Sequence, residues 1–113
     1  MSTNPSDPIV VLMTAANRKE ANQIAEMLVN ARLAACVQIL PEIQSVYRWQ
    51  GEVAHENEVL LLAKTISGKF DDLDRAVREI HSYETPEIVA VPITDASKTY
   101  LNWLLSELDQ TCS

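Results

Sequence analysis

A chain of 113 residues that is 47% hydrophobic is long enough for one domain with a real core and too short for two. Its net charge of −7 and pI near 4.7 argue against nucleic acid as a partner, because a phosphate backbone is met by clustered Lys and Arg. No apolar run approaches the roughly 20 residues of a membrane span, and Cys36 and Cys112, without CxxC spacing, make no disulfide framework, so a soluble, reduced, cytoplasmic protein is expected.

Residues 1–8, MSTNPSDP, are polar with two prolines and lack a basic patch and an apolar h-region. They read as a flexible arm, neither signal peptide nor anchor, before a single domain over residues 9–113. Residues 9–14 (IVVLMT) form a short, continuously apolar strand. Asn17 then caps a helix that ends near Arg32; Glu20 completes a capping box, and Ala21, Ile24, Ala25, Leu28 and Val29 make the apolar stripe.

Two long β-type runs follow, about residues 34–49 and 52–65, joined only by Gln50-Gly51. At roughly 3.3 Å per residue such an arm reaches about 45 Å, against a radius of gyration near ~13 Å for a domain of this length. The arms must bend, bulge or project to partners, and Pro41, which donates no ladder hydrogen bond, marks an edge or bulge. A second helix runs from a cap at Ser67 to His81, with Phe70, Leu73, Val77 and Ile80 at helical spacing. A fourth strand spans about residues 87–94, and a last helix over 97–108 buries Tyr100, Leu101, Leu104 and Leu108.

The order β-α-β-β-α-β plus a C-terminal helix is the split-βαβ, ferredoxin-like arrangement of an α+β fold. Both main helices then cover one face of the sheet, and the other face needs a cover of its own. Residues 59–63 (VLLLA) are apolar without alternation, and a partner subunit is the economical cover.

A turn at Gln50-Gly51 pairs 49 with 52, 47 with 54, 45 with 56 and 43 with 58, which places Tyr47, Trp49, Glu52, Glu56 and Glu58 on one face. Two readings stand: the aromatics pack in a seam between subunits beside solvated carboxylates, or the group shapes a ligand pocket. His55 lies on the opposite face, in solvent. His81, at a helix end beside Tyr83, Glu84 and Glu87, is either a helix-terminal histidine favoured by the macrodipole or a ligand-contacting or metal-binding residue. Met13 and Cys36 read as core side chains, the methionine also offering a soft thioether to copper. There is no Gly-rich phosphate loop, GxSxG elbow, HExxH or EF-hand loop.

Several blocks in order, Ala35-Cys36-Val37, Pro41, Ser45, Tyr47, Trp49, Gly51, Glu58, Lys64-Thr65, then His81-x-Tyr83-Glu84-x-Pro86-Glu87-Ile88, then Tyr100-Leu101-x-Trp103-Leu104, resemble the CutA family of divalent-cation-tolerance proteins over about residues 9–108. The resemblance implies a homotrimer of ferredoxin-like subunits, similar to the PII signalling proteins, linked to tolerance of copper and other divalent metals and not known as an enzyme. Members proposed to bind copper carry a cysteine on the first strand and histidines at the second helix's end. Those positions here hold Met13 and Ile80-His81, which makes Met13 and His81 the implied metal ligands. Tyr47, Trp49, Glu58, Lys64, Tyr83 and Glu84 are the implied ligand-binding, intersubunit set.

Two further expectations compete with metal or ligand binding. One is a structural or signalling trimer without a metal site. The other is an enzyme using His81 with Glu84, although isomerases that use an N-terminal proline are excluded by Ser2.

Overall fold

The structure, a computed structural model, describes residues 4–109. Its elements are β1 (Pro8–Ala15), α1 (Arg18–Asn30), β2 (Cys36–Trp49), β3 (Glu52–Ile66), a single 3-10 turn (Ser67–Lys69), α2 (Phe70–Ile80), β4 (Ile88–Pro92) and α3 (Lys98–Leu108). The strands form one antiparallel sheet in the order β2-β3-β1-β4. Each of the two β-α-β connections therefore skips one strand position.

Alternation along the inner strands builds the core. Ile9, Val11, Met13 and Ala15 of β1 stand opposite Thr65, Ala63, Leu61 and Val59 of β3, all on one face and all buried. Ala21, Ile24 and Leu28 of α1 and Leu73 and Val77 of α2 close that face. Helix α1 starts where Asn17 Oδ1 accepts the Glu20 N–H at 2.8 Å. It ends at Asn30, and two residues on Arg32 takes a left-handed φ of 57°, with the Leu33 N–H returning to the Leu28 carbonyl at 2.9 Å.

Four local expectations change. Ser67 does not cap α2: its Oγ donates to the Asn4 carbonyl at 2.6 Å, and the helix begins three residues later without a side-chain cap. The same bond bears on the arm expected over residues 1–8. From Asn4 onward it is a hydrogen-bonded turn, with Ser67 N–H on Asp7 O and Gly68 N–H on Pro5 O, both at 2.8 Å, while residues 1–3 lie outside the described residues. Tyr100 is not buried by α3, which docks through Leu104 and Leu108 onto Ala35 and Ile66. Cys36 is half-buried beside Tyr100, Sγ to hydroxyl 3.5 Å, rather than in the core; Cys112 lies outside the described residues.

The hairpin gives the molecule its shape, 47 × 31 × 23 Å with a radius of gyration of 14.8 Å. Gln50 and Gly51 take φ of 50° and 82°, the two positive values of a type I′ turn, whose twist suits the strands it joins. The expected register holds: Trp49 faces Glu52, Tyr47 faces Ala54, Ser45 faces Glu56 and Ile43 faces Glu58. Between Leu40, opposite Leu60, and Ile43, opposite Glu58, β2 contains one residue more than β3. This bulge at Pro41-Glu42 reverses the parity of β2. Val37 and Ile39 face the helices before it, whereas Tyr47 and Trp49 join the opposite face beyond it.

Among the described residues no helix covers the centre of that opposite face. Leu12 stands opposite Leu62 and Val89, and Leu60 opposite Leu40. Leu40, Val89 and Val91 are 40–49% exposed. Among the described residues no helix is long and apolar enough to cross a membrane.

Candidate functional site

The loop after α2 is fixed to the fold by His81. The imidazole is fully buried, with Nε2 2.7 Å from the Thr14 carbonyl and Nδ1 3.0 Å from the Tyr83 N–H. Because Nδ1 accepts that N–H, Nε2 carries the hydrogen and donates to Thr14, so the ring is neutral. Glu20 holds the other side: Oε1 accepts the Ala16 N–H at 2.9 Å and Oε2 the Ser82 N–H at 2.7 Å. Burial opposes the ionised Glu20, but the hydrogen bonds from Ala16 and Ser82 prevail and hold the carboxyl below its ordinary range.

This clasp sets Tyr83 against the hairpin. Its ring lies 4.8 Å from the imidazole, centroid to centroid, and its hydroxyl donates to Glu58 Oε2 at 2.9 Å. Burial, then the hydrogen bond to Glu58 and its charge, raise the phenol well above the ordinary tyrosine range. Tyr47 is raised in the same direction, by loss of surrounding water and by the charges of Glu56 and Glu58.

Between hairpin and loop lies a cavity of about 560 Å³. Its wall carries the rings of Tyr47, Trp49 and Tyr83 and the carboxylates of Glu56, Glu58, Glu84 and Glu87. Thr14, Ser45 and Thr85 add hydroxyls. Glu58 is 8% exposed, although β3 on either side of the hairpin arm is open to solvent further out. The volume falls inside the roughly 300–1,000 Å³ of small-molecule sites.

Of the residues expected from the sequence, Tyr47, Trp49, Glu58, Tyr83 and Glu84 come together round this cavity. Lys64 does not. It shares the β3 face with Glu58 but lies six residues away, about 20 Å along a strand. There its Nζ sits 5.6 Å from the centroid of the Tyr100 ring. The expected metal pair also fails to form a site: Met13 is fully buried in the helix-covered core, and both His81 nitrogens are engaged. Among the described residues no three His, Cys, Asp or Glu side chains converge to hold an ion. As placed within the described residues of one subunit, Met13 and His81 do not form a copper centre. Glu20 went unrecognised because a capping box accounts for it locally, while its second oxygen serves Ser82, 62 positions on.

The pattern of the family described as CutA1 divalent ion tolerance protein matches residues 9–107. The chain belongs to the CutA1 family. It is 50% identical over 95 residues to the divalent-cation tolerance protein CutA of Thermus thermophilus, covering 84% of this chain and 92% of that one. Identity to the chloroplastic CutA protein of Arabidopsis thaliana is 44% over 96 residues, 85% of this chain and 53% of the plant protein, so the chain spans about half of that relative's length. Among solved structures, the periplasmic divalent cation tolerance protein CutA of Archaeoglobus fulgidus superposes with a TM-score of 0.88 at 35% identity, covering 90% of this chain and 99% of that one. These CutA1 relatives share the four-stranded sheet with its helices, and hence the frame on which the hairpin and the 81–87 loop meet.

Proposed function

We propose that this CutA1 protein acts in tolerance of divalent metal ions, copper among them, as a cytoplasmic homotrimer of ferredoxin-like subunits, and holds a small ligand in the hairpin cleft without catalysing a reaction. The observation that carries this reading is the position of the cavity, on the same face as the uncovered apolar stripe. A second copy laid on Leu12, Leu40, Leu60 and Leu62 closes the stripe and roofs the cleft with its own residues. The family name supplies the physiological setting. A metal bound at Met13 and His81 has less support than a ligand in the cleft, because His81 must first release Thr14 and Tyr83. The same commitment of both ring nitrogens removes His81 as an acid or base in contact with substrate.

A scaffold trimer without any ligand is the second reading, and the engaged imidazole favours it over a metal site. One experiment separates the two. Light scattering is expected to give three times the 12.6 kDa subunit mass for both wild type and Glu58→Gln. In cells lacking the gene, wild type restores growth in copper and Glu58→Gln does not. A monomer, or full rescue by a trimeric Glu58→Gln, contradicts the cleft reading.

A further inference from the structure

We propose that the hairpin cavity is a receptor for an organic cation, an alkyl- or quaternary-ammonium molecule, whose charged head is surrounded by the rings of Tyr47, Trp49 and Tyr83 and countered by Glu58 and Glu56. This rests on the reading of the cleft as a ligand site and names the chemistry of its occupant.

The first reason is charge without a counter-charge. Four carboxylates line the cavity, and within the subunit no Lys or Arg among the described residues lies within ion-pair distance of any of them. The basic side chains that do pair join Glu107, Asp72 and Asp74, all on helices. The second is Glu58 itself. It is 8% exposed, its Oε2 takes the Tyr83 hydroxyl, and its Oε1 takes no donor. Oε1 is not sealed from solvent, so it is open to an ammonium head that displaces water from the cavity side.

The third is the aromatic wall. Ring faces attract cations, and desolvated quaternary ammonium groups are recognised by cages of this composition. The phenols of Tyr47 and Tyr83 are both raised, first by burial and then by the negative charge of Glu58 and Glu56 beside them. The fourth is size. A bare divalent ion needs oxygen ligands at roughly 2.0–2.6 Å. These carboxylates are spread round about 560 Å³ and form no such cluster. A molecule with both an apolar body and a positive head fits that spacing.

Calorimetry on the purified full chain uses choline, spermidine and dimethylbutanol, the uncharged carbon isostere of choline. The expected result is saturable binding of choline or spermidine at one site per chain, at least tenfold tighter than the isostere. Glu58→Gln and Trp49→Leu each weaken it tenfold or more at unchanged oligomeric mass; Trp49 is 59% exposed near the hairpin tip and carries little of the fold. Equal binding of the isostere, no saturable binding of either cation, or undiminished binding by both variants overturns the proposal. The two readings fail separately. Copper sensitivity of Glu58→Gln cells without ammonium binding removes only the ligand class, whereas ammonium binding with unaltered tolerance upholds the class and removes the cleft's role in tolerance.

Discussion

Replacing Tyr83 by Phe removes a single hydroxyl, the one that donates to Glu58 Oε2 at 2.9 Å. The ring stays, so its packing on His81 is retained and no cavity is made in the core. What is lost is a hydrogen bond to an ionised, nearly buried acceptor, worth about 1.5–3 kcal/mol in comparable cases. Glu58 also borders the cavity, and water can enter to solvate the orphaned oxygen, which argues for the low end, about 1.5 kcal/mol. At ~2.1 cal/mol/K per residue of unfolding entropy, a chain of 113 residues unfolds with roughly 240 cal/mol/K, so Tm should fall by about 6 °C. The assay is a double-mutant cycle with Glu58→Gln, by thermal unfolding at one fixed protein concentration so that assembly does not enter the comparison. If the bond is as strong as its geometry indicates, the coupling energy should exceed about 1 kcal/mol. Strictly additive single variants, with a coupling near zero, would refute the claim that Tyr83 holds Glu58.

Two other outcomes are expected. Thr65 is fully buried and its Oγ1 has no hydrogen-bond partner, so Thr65→Val, nearly the same shape without the orphan hydroxyl, should stabilise the protein by about 1 kcal/mol in denaturant unfolding, and a loss of stability would show an unrecognised role for that oxygen. Glu20, held below its ordinary value of 4.5 in the fold, contributes stability that is complete above pH 4.5 and vanishes as pH falls through its lower native value. Glu20→Gln should therefore be less stable than wild type by about 1–2 kcal/mol at pH 7, with the gap closing in acid. Parallel stability curves from pH 7 to pH 3 would contradict this assignment.

The order of elements and the hairpin register were legible because they rest on local chemistry: apolar periodicity, one Gln-Gly turn, one capping residue. The face shared by Tyr47, Trp49, Glu56 and Glu58 follows from the turn alone. What local pattern does not carry is the partner of a polar side chain. Ser67 has the chemistry of a helix cap, yet the Asn4 carbonyl, brought alongside by β1, takes its hydroxyl. A histidine at a helix end is ordinarily solvated, and His81 is buried because Thr14, 67 positions earlier, and the Tyr83 backbone between them occupy both nitrogens. Lys64 shares the parity of Glu58 along β3, but parity fixes a face and not a place on it. The half-exposure of Tyr100 depends on how α3 crosses the end of β3, which helical spacing does not specify.

The bulge at Pro41-Glu42 explains why one strand serves two purposes. The first arm of β2 must present Val37 and Ile39 to the helices, or the core beside Leu61 and Ala63 is left open. The second arm must present Tyr47 and Trp49 to the side from which Glu58 projects, or the cavity has no aromatic wall. A regular strand cannot do both, because Val37, Ile39, Tyr47 and Trp49 all have odd numbers and would share one face. One inserted residue reverses the parity between them, and Pro41, with no N–H to lose from the ladder, occupies the interruption at low cost. β3 runs through without a break, so Glu58, Leu60 and Leu62 stay on one face. The cavity and the apolar stripe are thereby joined along a single uninterrupted strand, and a partner that covers the stripe necessarily lies next to the cavity.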